Sequence, residues 1–200
     1  MTAYAKRNLK TLKPGVEPAS PEAQSFAEGW AAGQFHAKFT EFFRDVVDRL
    51  EGRGSSRQVT GTLVSGRLPA RSTATFIGGN LTCLLTMLGT PYARAVDPKD
   101  RWIAMEDLNE NPDGLDRMRA HLTLAGYWDR CSGVLVGDFH NKDGDETDAV
   151  VAFLKHHLPA ARNLPVVVTR QVGHIWPLAP LPIGRPVEIV RTAPKRGPAT

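Results

Sequence analysis

Residues 102–107 have the sequence Trp-Ile-Ala-Met-Glu-Asp, in which four apolar residues run directly into two carboxylates. A continuous apolar run of this length, without polar alternation, is typical of a β-strand that is buried on both faces. Two further runs have a similar form, Val-Leu-Val-Gly-Asp at 134–138 and Pro-Val-Val-Val-Thr at 165–169. Helical patterns separate the three runs, so the sequence predicts an α/β fold with a mostly parallel sheet.

The alternation of strands and helices extends outward from these runs to about residues 58–192. Asn80 is a good N-cap for a helix that begins at Leu81, and Gly89 is a good stop for the same helix. The other predicted elements are strands at 58–66 and 186–192 and helices at about 115–126 and at 148–158.

Three segments flank the predicted α/β domain at 58–192. Residues 1–34 are rich in Ala, Gly, Pro and Ser and have little periodicity, which predicts a tail or linker. Residues 35–57 begin with apolar residues at helical spacing and continue into glycines, which predicts an N-terminal amphipathic helix followed by a break. Residues 193–200 form a short basic tail.

The composition excludes several classes of protein. The chain has 200 residues, of which 42% are hydrophobic and 23% charged, so it can bury a core and is not a disordered protein. No apolar run approaches the roughly 20 residues of a membrane-spanning helix. The first residues lack the apolar stretch of a secretory signal. We therefore expect a soluble, cytoplasmic protein with no membrane partner.

The net charge of +4 is only a weak sign of nucleic-acid binding. Part of the basic excess lies at the two ends of the chain, and a nucleic-acid binder more often has a basic stripe with interleaved aromatic residues. We therefore predict no nucleic-acid partner. Cys83 and Cys131 lack neighbouring Cys or His residues at zinc-ligand spacing, so we predict two buried, reduced thiols and no metal site.

Two short segments have some features of ligand-binding loops. Residues 78–80, Gly-Gly-Asn, precede a helix as phosphate-binding glycines do, but no Gly-Lys-Ser/Thr follows them. A tight turn with an asparagine cap is the favoured interpretation. Residues 138–148 are rich in Asp and Asn, but no register supplies both the Gly at the sixth position and the Glu at the twelfth position of an EF-hand. A solvated acidic loop before a helix is favoured there.

Glu106 and His174 are the candidate site residues. Glu106 lies at the end of the predicted strand, and ligands bind outside the carboxyl ends of strands in open α/β sheets. A carboxylate in this position can also cap a helix or lie on the surface. His174 follows Gly173 after the strand at 165–169, where an imidazole can serve as general base or have a structural role. A carboxylate that accepts an imidazole N–H fixes its tautomer and stabilises the imidazolium. A nucleophile is missing from this pattern, because the sequence has no Gly-x-Ser-x-Gly elbow.

A set of short motifs follows a fixed order across most of the chain. The motifs are Ile-Gly-Gly-Asn-Leu at 77–81, Leu-Gly-Thr-Pro-Tyr at 88–92, Ala-Met-Glu-Asp-Leu at 104–108, Leu-Asp-Arg-Met at 115–118, Ala-Gly at 125–126, Val-Leu-Val-Gly-Asp-Phe at 134–139, Val-Gly-His at 172–174 and Leu-Pro-Ile-Gly at 181–184. In this order and spacing they resemble the C-terminal domain of the LD-carboxypeptidases. These serine peptidases include the murein tetrapeptide carboxypeptidases and the microcin C self-immunity proteins.

The resemblance implies a Ser-Glu-His triad in which Glu106 is the orienting carboxylate and His174 is the general base. It implies hydrolysis of the amide before the terminal D-alanine of murein peptides, with no metal and no organic cofactor. It also implies a cytoplasmic protein of peptidoglycan recycling, commonly a homodimer, and a swivelling β/β/α layered fold for residues 58–192.

Members of the family that the motifs resemble carry the nucleophilic serine in an N-terminal domain. Residues 1–57 are too short to provide that domain. We therefore expect this chain to act as the C-terminal half of a truncated or split enzyme, with a separate Ser-bearing domain as its partner. The alternative is a non-catalytic peptide-binding or dimerisation module derived from the same domain.

Overall fold

The computed structural model describes residues 58–141, 144–158, 162–174 and 180–192. The predicted linker at 1–34, the amphipathic helix and break at 35–57 and the basic tail at 193–200 lie outside these residues. Within the described ranges, no helix has the length and apolar character needed to cross a membrane.

Seven strands of the described chain form one sheet. They are β1 (Gln58–Ser65), β2 (Arg71–Asn80), β3 (Trp102–Leu108), β4 (Gly133–Asn141), β5 (Gly144–Asp145), β6 (Val166–Val168) and β7 (Pro186–Thr192). Hydrogen bonds join them in the order β3-β2-β7-β1-β6-β4-β5, and β4 also pairs with β3. The sheet therefore closes on itself as a barrel-like ring of six strands, with β5 attached to the end of β4.

The ring consists of two blocks of strands that run in opposite directions. The larger block consists of β2, β3, β4 and β6, which pair in this order around the ring and are all parallel. β1 and β7 are parallel to each other and meet the larger block through the antiparallel pairs β1–β6 and β2–β7. The structure confirms an α/β fold. The sheet is mixed, because strands are parallel within each block and antiparallel where the two blocks meet.

In the described part of the chain, four α-helices and a 3-10 helix pack against the larger block of strands. They are α1 (Leu81–Met87), the 3-10 helix (Pro91–Val96), α2 (Pro112–Leu124), α3 (Tyr127–Arg130) and α4 (Thr147–His157). Side chains of these helices form one core cluster with one face of β2, β3, β4 and β6, including Leu84, Leu122 and Leu154 against Ile103 and Val136. This cluster fixes the helices on the outside of the ring.

A second core cluster fills the interior of the ring. Its members come from all six ring strands and include Phe76, Trp102, Leu135, Val167 and Ile189. Because successive side chains of a strand point to opposite faces, the strands of the larger block are buried both inside and outside the ring. This double burial is the physical reason for the continuous apolar runs, whereas β1 and β7 alternate because one of their faces is less covered.

Among the six strands of the ring, β2 is the one that the sequence pattern did not predict. Residues 71–75 are mostly polar, and in the first six residues of the strand only Ala74 and Phe76 are buried. The strand is held by its pairing with β3 and β7, and the Phe76 ring meets Trp102 edge-on with ring centroids 6.0 Å apart. Long-range pairing therefore forms this strand where the local pattern is weak.

The two cysteines differ in burial. Cys131 is buried, as predicted, but Cys83 is exposed, so the prediction of two buried thiols was wrong for Cys83. α1 buries Leu81 and Leu84 against the ring. At 3.6 residues per turn, Cys83 lies on the side of the helix away from these two leucines.

Candidate active site

The carboxyl ends of the parallel strands lie side by side at one edge of the ring, which we call the rim. Asn80 at the end of β2 is in register with Glu106 of β3. The loop at 169–174 follows β6 and crosses the end of β4, where the Asp138 N–H donates to the Val172 carbonyl at 2.9 Å. The ends of β2, β3 and β4 and the loop at 169–174 thus bring polar side chains to the position where α/β sheets bind ligands.

The structure brings Glu106 and His174 together at the rim. Nδ1 of His174 lies 2.7 Å from Oε2 of Glu106, a short hydrogen bond between residues on different elements. The Glu106 side chain is 9% exposed and that of His174 is 47% exposed. When Glu106 is ionised it can only accept, so Nδ1 donates and the Nε2 lone pair can act as a base.

Asp107 follows Glu106 directly but has a structural role. Its Oδ1 accepts from the Asn80 side chain at 2.9 Å and from the Leu108 N–H at 2.8 Å. Its Oδ2 accepts from the N–H and the hydroxyl of Thr82, each at 2.9 Å. Because neighbouring residues of a strand point to opposite faces, Asp107 anchors the start of α1 while Glu106 faces His174.

Two glycines allow the loop that carries His174 to approach β4. A Cβ at Gly137 would lie 2.5 Å from the Val172 carbonyl oxygen and 3.1 Å from Cβ of Glu106. A Cβ at Gly173 would lie 2.5 Å from Cβ of Asp138, and the Gly173 backbone has a φ of +136°. The short distance between His174 and Glu106 therefore depends on the absence of side chains at both positions.

Burial changes the acid–base behaviour of Glu106. Loss of hydration raises the pKa of this carboxyl above its ordinary value of 4.5. The hydrogen bond and charge of His174 oppose the effect, and the negative charges of Asp107 and Asp138 add to it. Holding the ionised carboxylate of Glu106 at the rim therefore lowers the free energy of unfolding.

We expect the raised pKa of Glu106 to make the free energy of unfolding depend on pH. The folded carboxyl binds a proton more readily than the unfolded one, so the contribution of Glu106 to the free energy of unfolding falls as pH rises from 4.5 through the folded pKa. Glu106→Gln cannot titrate and should lack this fall, whereas Asp113→Asn, at an exposed carboxylate of α2, should retain it. Urea unfolding across about pH 4–7 measures the effect. A stability difference between wild type and Glu106→Gln that stays constant over this range would contradict the prediction.

A second group of polar side chains borders the Glu106–His174 pair. The Asp138 side chain is 2% exposed, and its Oδ1 lies 2.7 Å from Nδ1 of His140 and 3.4 Å from Nη1 of Arg170. Nη2 of Arg170 donates to Oδ2 of Asp145 at 2.5 Å. One ligand atom each from Asp138, His140 and Asp145 lies within 4.8 Å of the others, a spacing suited to a cation. The guanidinium of Arg170 already provides the positive charge between the two carboxylates.

The acidic stretch at 138–148 therefore differs from the solvated loop predicted for it. Asp138 is buried, because β4 continues through it to Asn141. Asp145 lies just before α4, where its Oδ1 accepts from the Thr147 N–H at 2.9 Å. The prediction was wrong for Asp138, whose partners come from segments distant in sequence.

The motif at 78–80 has the capping function predicted for it. Oδ1 of Asn80 accepts from the Cys83 N–H at 3.0 Å and so caps α1. Gly78 and Gly79 form the end of β2 rather than a separate turn, with φ angles of +103° and +130°. A Cβ at Gly78 would lie 2.1 Å from the Ala104 carbonyl oxygen of β3, so close strand pairing requires glycine there.

Sequence reasoning missed Arg170, His140 and Asp138 as parts of the site. One signal was available for Asp138, because the apolar run at 134–138 ends in a carboxylate as the run with Glu106 does. No local pattern marked Arg170 or His140. Within the described ranges, neither Glu106 nor His174 hydrogen bonds with a serine, threonine or cysteine that could serve as nucleophile.

The family of the chain follows from its sequence. Residues 73–189 match the sequence profile of the LD-carboxypeptidase C-terminal domain. The chain belongs to the LD-carboxypeptidase family. The matched residues include Glu106, His174 and the group around Asp138, so all the side chains of the rim described above lie in the part of the chain that defines this LD-carboxypeptidase domain.

Three relatives place this LD-carboxypeptidase chain among longer proteins. A "Probable murein peptide carboxypeptidase" of Bacillus subtilis (strain 168) is 30% identical over 120 residues, which are 58% of this chain and 37% of the relative. The structure of muramoyltetrapeptide carboxypeptidase from Oxalobacter formigenes is 25% identical, with a TM-score of 0.51 over 64% of this chain and 43% of that one. An MccF-like protein from Streptococcus pneumoniae, solved in complex with AMP, shares the fold at 22% identity, with a TM-score of 0.52 over 64% of this chain and 40% of that one. The chain spans less than half the length of each of these relatives.

Proposed function

We propose that this chain supplies the general base and its orienting carboxylate to a serine LD-carboxypeptidase that releases the terminal D-alanine of murein peptides. The observation that carries the proposal is the 2.7 Å bond between Nδ1 of His174 and the buried Oε2 of Glu106. Membership of the family and the murein peptide carboxypeptidase names of two relatives support the substrate class.

The proposed reaction uses the two residues in the roles of a catalytic dyad. Nε2 of His174 takes the proton of the attacking serine hydroxyl while Glu106 accepts the Nδ1–H and stabilises the imidazolium. The imidazolium then protonates the nitrogen of the leaving D-alanine, and an acyl-enzyme forms. A water molecule, deprotonated by the same imidazole, hydrolyses the acyl-enzyme. No metal and no organic cofactor takes part in the proposed steps.

The proposed nucleophile belongs to a Ser-bearing domain that is not among the described residues. The chain spans 37% of the length of the Bacillus subtilis relative, which leaves room in such proteins for that domain. In the proposed enzyme the serine domain faces the rim, so that its hydroxyl reaches Nε2 of His174. The proposed enzyme is a cytoplasmic protein of peptidoglycan recycling and forms a homodimer.

A reconstitution experiment tests the proposal. The 200-residue chain is mixed with a separately expressed Ser-bearing domain of a family member, and D-alanine release from a murein tetrapeptide is measured. We expect release from the mixture and none from either part alone, because a general base without a nucleophile forms no acyl-enzyme.

Two outcomes of this experiment would overturn the proposal. Release by the chain alone that disappears in His174→Ala would show that the chain holds its own nucleophile. Binding of the tetrapeptide without release, in a mixture whose serine domain restores activity to the C-terminal domain of its own parent enzyme, would favour the non-catalytic peptide-binding module.

A further inference from the structure

The loop at 169–174 holds His174 in place although it contains no helix or strand. One side of the loop is tied to β1, where the Thr169 hydroxyl donates to the Thr60 carbonyl at 2.8 Å and the Thr60 N–H donates to Oε1 of Gln171 at 2.7 Å. These bonds fix the first half of the loop. The half nearest His174 needs a separate anchor on the β4 side.

Arg170 and the loop backbone provide that anchor by contacting Asp138 at two points. The Asp138 N–H donates to the Val172 carbonyl at 2.9 Å, and Nη1 of Arg170 lies 3.4 Å from Oδ1 of the same residue. Since Asp138 is buried in β4, which pairs with strands on both sides, it offers a rigid support. Val172 and Arg170 thus attach the loop to one residue from two directions.

Asp145 adds a third point of attachment, at the start of α4. Its Oδ2 accepts from Nη2 of Arg170 at 2.5 Å. Burial alone would raise the pKa of Asp145, but hydrogen bonds from Thr147 and Arg170 outweigh it and lower the pKa to about 2. Asp145 is therefore ionised at neutral pH, and a charged, forked donor such as Arg170 suits two separate carboxylates better than lysine does.

We propose that Arg170 is a positioning residue for His174, which holds the loop at 169–174 against Asp138 and Asp145 so that Nδ1 of His174 stays on Glu106. The inference rests on the proposed role of His174 as general base. Arg170 acts through the loop, four residues before the imidazole, and not by contact with the Glu106–His174 pair.

The test reads the state of the His174 ring in the chain itself. Long-range ¹H–¹⁵N NMR spectra report the tautomer of each histidine and the exchange rate of its ring proton. We expect wild type to hold His174 as the Nδ1–H tautomer. In Arg170→Gln this tautomer should lose population, and exchange of its Nδ1 proton should become about ten-fold faster, because two charge-assisted bonds of the loop are lost.

Two further variants and a control complete the test. Arg170→Lys should restore part of the wild-type ring state because it keeps the charge, and Asp145→Asn should shift the ring in the same direction as Arg170→Gln but by less. Arg71→Gln is the control, since the Arg71 guanidinium also makes two hydrogen bonds to a carboxylate, that of Glu188, at the end of β2 away from the rim. It should leave the His174 ring unchanged.

An unchanged His174 ring in a folded Arg170→Gln chain would overturn the positioning role. Equal shifts in Arg170→Gln and Arg71→Gln would overturn it as well, because they would reflect a general loss of stability. The ring signature needs no serine domain and no substrate. The ring spectra can therefore reject the positioning role of Arg170 while reconstituted D-alanine release succeeds. If the spectra show the expected shifts but no D-alanine is released, the proposed function is rejected and the role of Arg170 in the loop is retained.

Discussion

His174→Ala is expected to lower kcat for D-alanine release by the reconstituted enzyme at least about 10⁴-fold. The variant removes the group that takes the serine proton and later gives it to the leaving amine. KM should change far less, because the half-exposed imidazole contributes to proton transfer more than to peptide binding. Initial rates at several tetrapeptide concentrations separate the two constants.

Glu106→Gln and the double variant make the His174 test specific. Because Glu106 acts through the imidazole, Glu106→Gln combined with His174→Ala should be no slower than His174→Ala alone. His121→Ala is the control, since His121 is an exposed histidine of α2 and should leave kcat unchanged. A double variant that loses activity multiplicatively would show that Glu106 and His174 do not act as a pair.

Local patterns in the sequence marked Glu106 and His174 separately as candidates, and the resemblance to the LD-carboxypeptidases implied that the two act as a pair. Each residue follows an apolar run, and the double burial of those runs fixes where the strands end. Parallel order then places the ends of β3 and β6 at the same rim, so that residues far apart in the sequence meet there. Local patterns and the direction of the strands therefore explain why both residues lie at the rim, whereas their pairing was implied by the family resemblance.

The same local patterns could not predict that the sheet closes into a ring. Closure depends on β2, whose first residues are polar, and on the antiparallel junctions of β1 and β7 with the larger block. These pairings join segments that are distant in sequence, and the partner strand rather than the local pattern stabilises them. The sequence therefore predicts the parallel block and its helices but not the way in which the sheet closes.

The contacts of Arg170 with Asp138 and Asp145 beside the candidate site could not be predicted from the sequence either. Arg170 is one charged residue among many, and its role appears only when the loop at 169–174 crosses β4 and reaches Asp138 and Asp145. The prediction placed Asp138 in a solvated acidic loop, because its distant partners cannot be inferred from spacing. The candidate site residues could thus be predicted from local context, whereas the residues that support them depend on tertiary contacts.

Gly173→Ala is expected to break the contact between His174 and Glu106 and to lower the free energy of unfolding by about 3 kcal/mol. The residue has a φ of +136°, and a Cβ there would lie 2.5 Å from Cβ and 3.1 Å from the backbone nitrogen of Asp138. Asp138 lies in a central strand and cannot retreat, so the loop must move and carry His174 away from the carboxylate. Urea unfolding and the His174 ring spectrum measure the two effects.

Gly89→Ala separates backbone strain from steric overlap at Gly173. Gly89 also has a positive φ, +79°, but a Cβ there would meet nothing within 4 Å. Its substitution should cost only about 1 kcal/mol and leave the His174 ring unchanged. If Gly173→Ala lost no more stability than Gly89→Ala and kept the Nδ1–H tautomer, the loop would have room for a side chain. The close approach of Gly173 to Asp138 would then not be what holds the imidazole on Glu106.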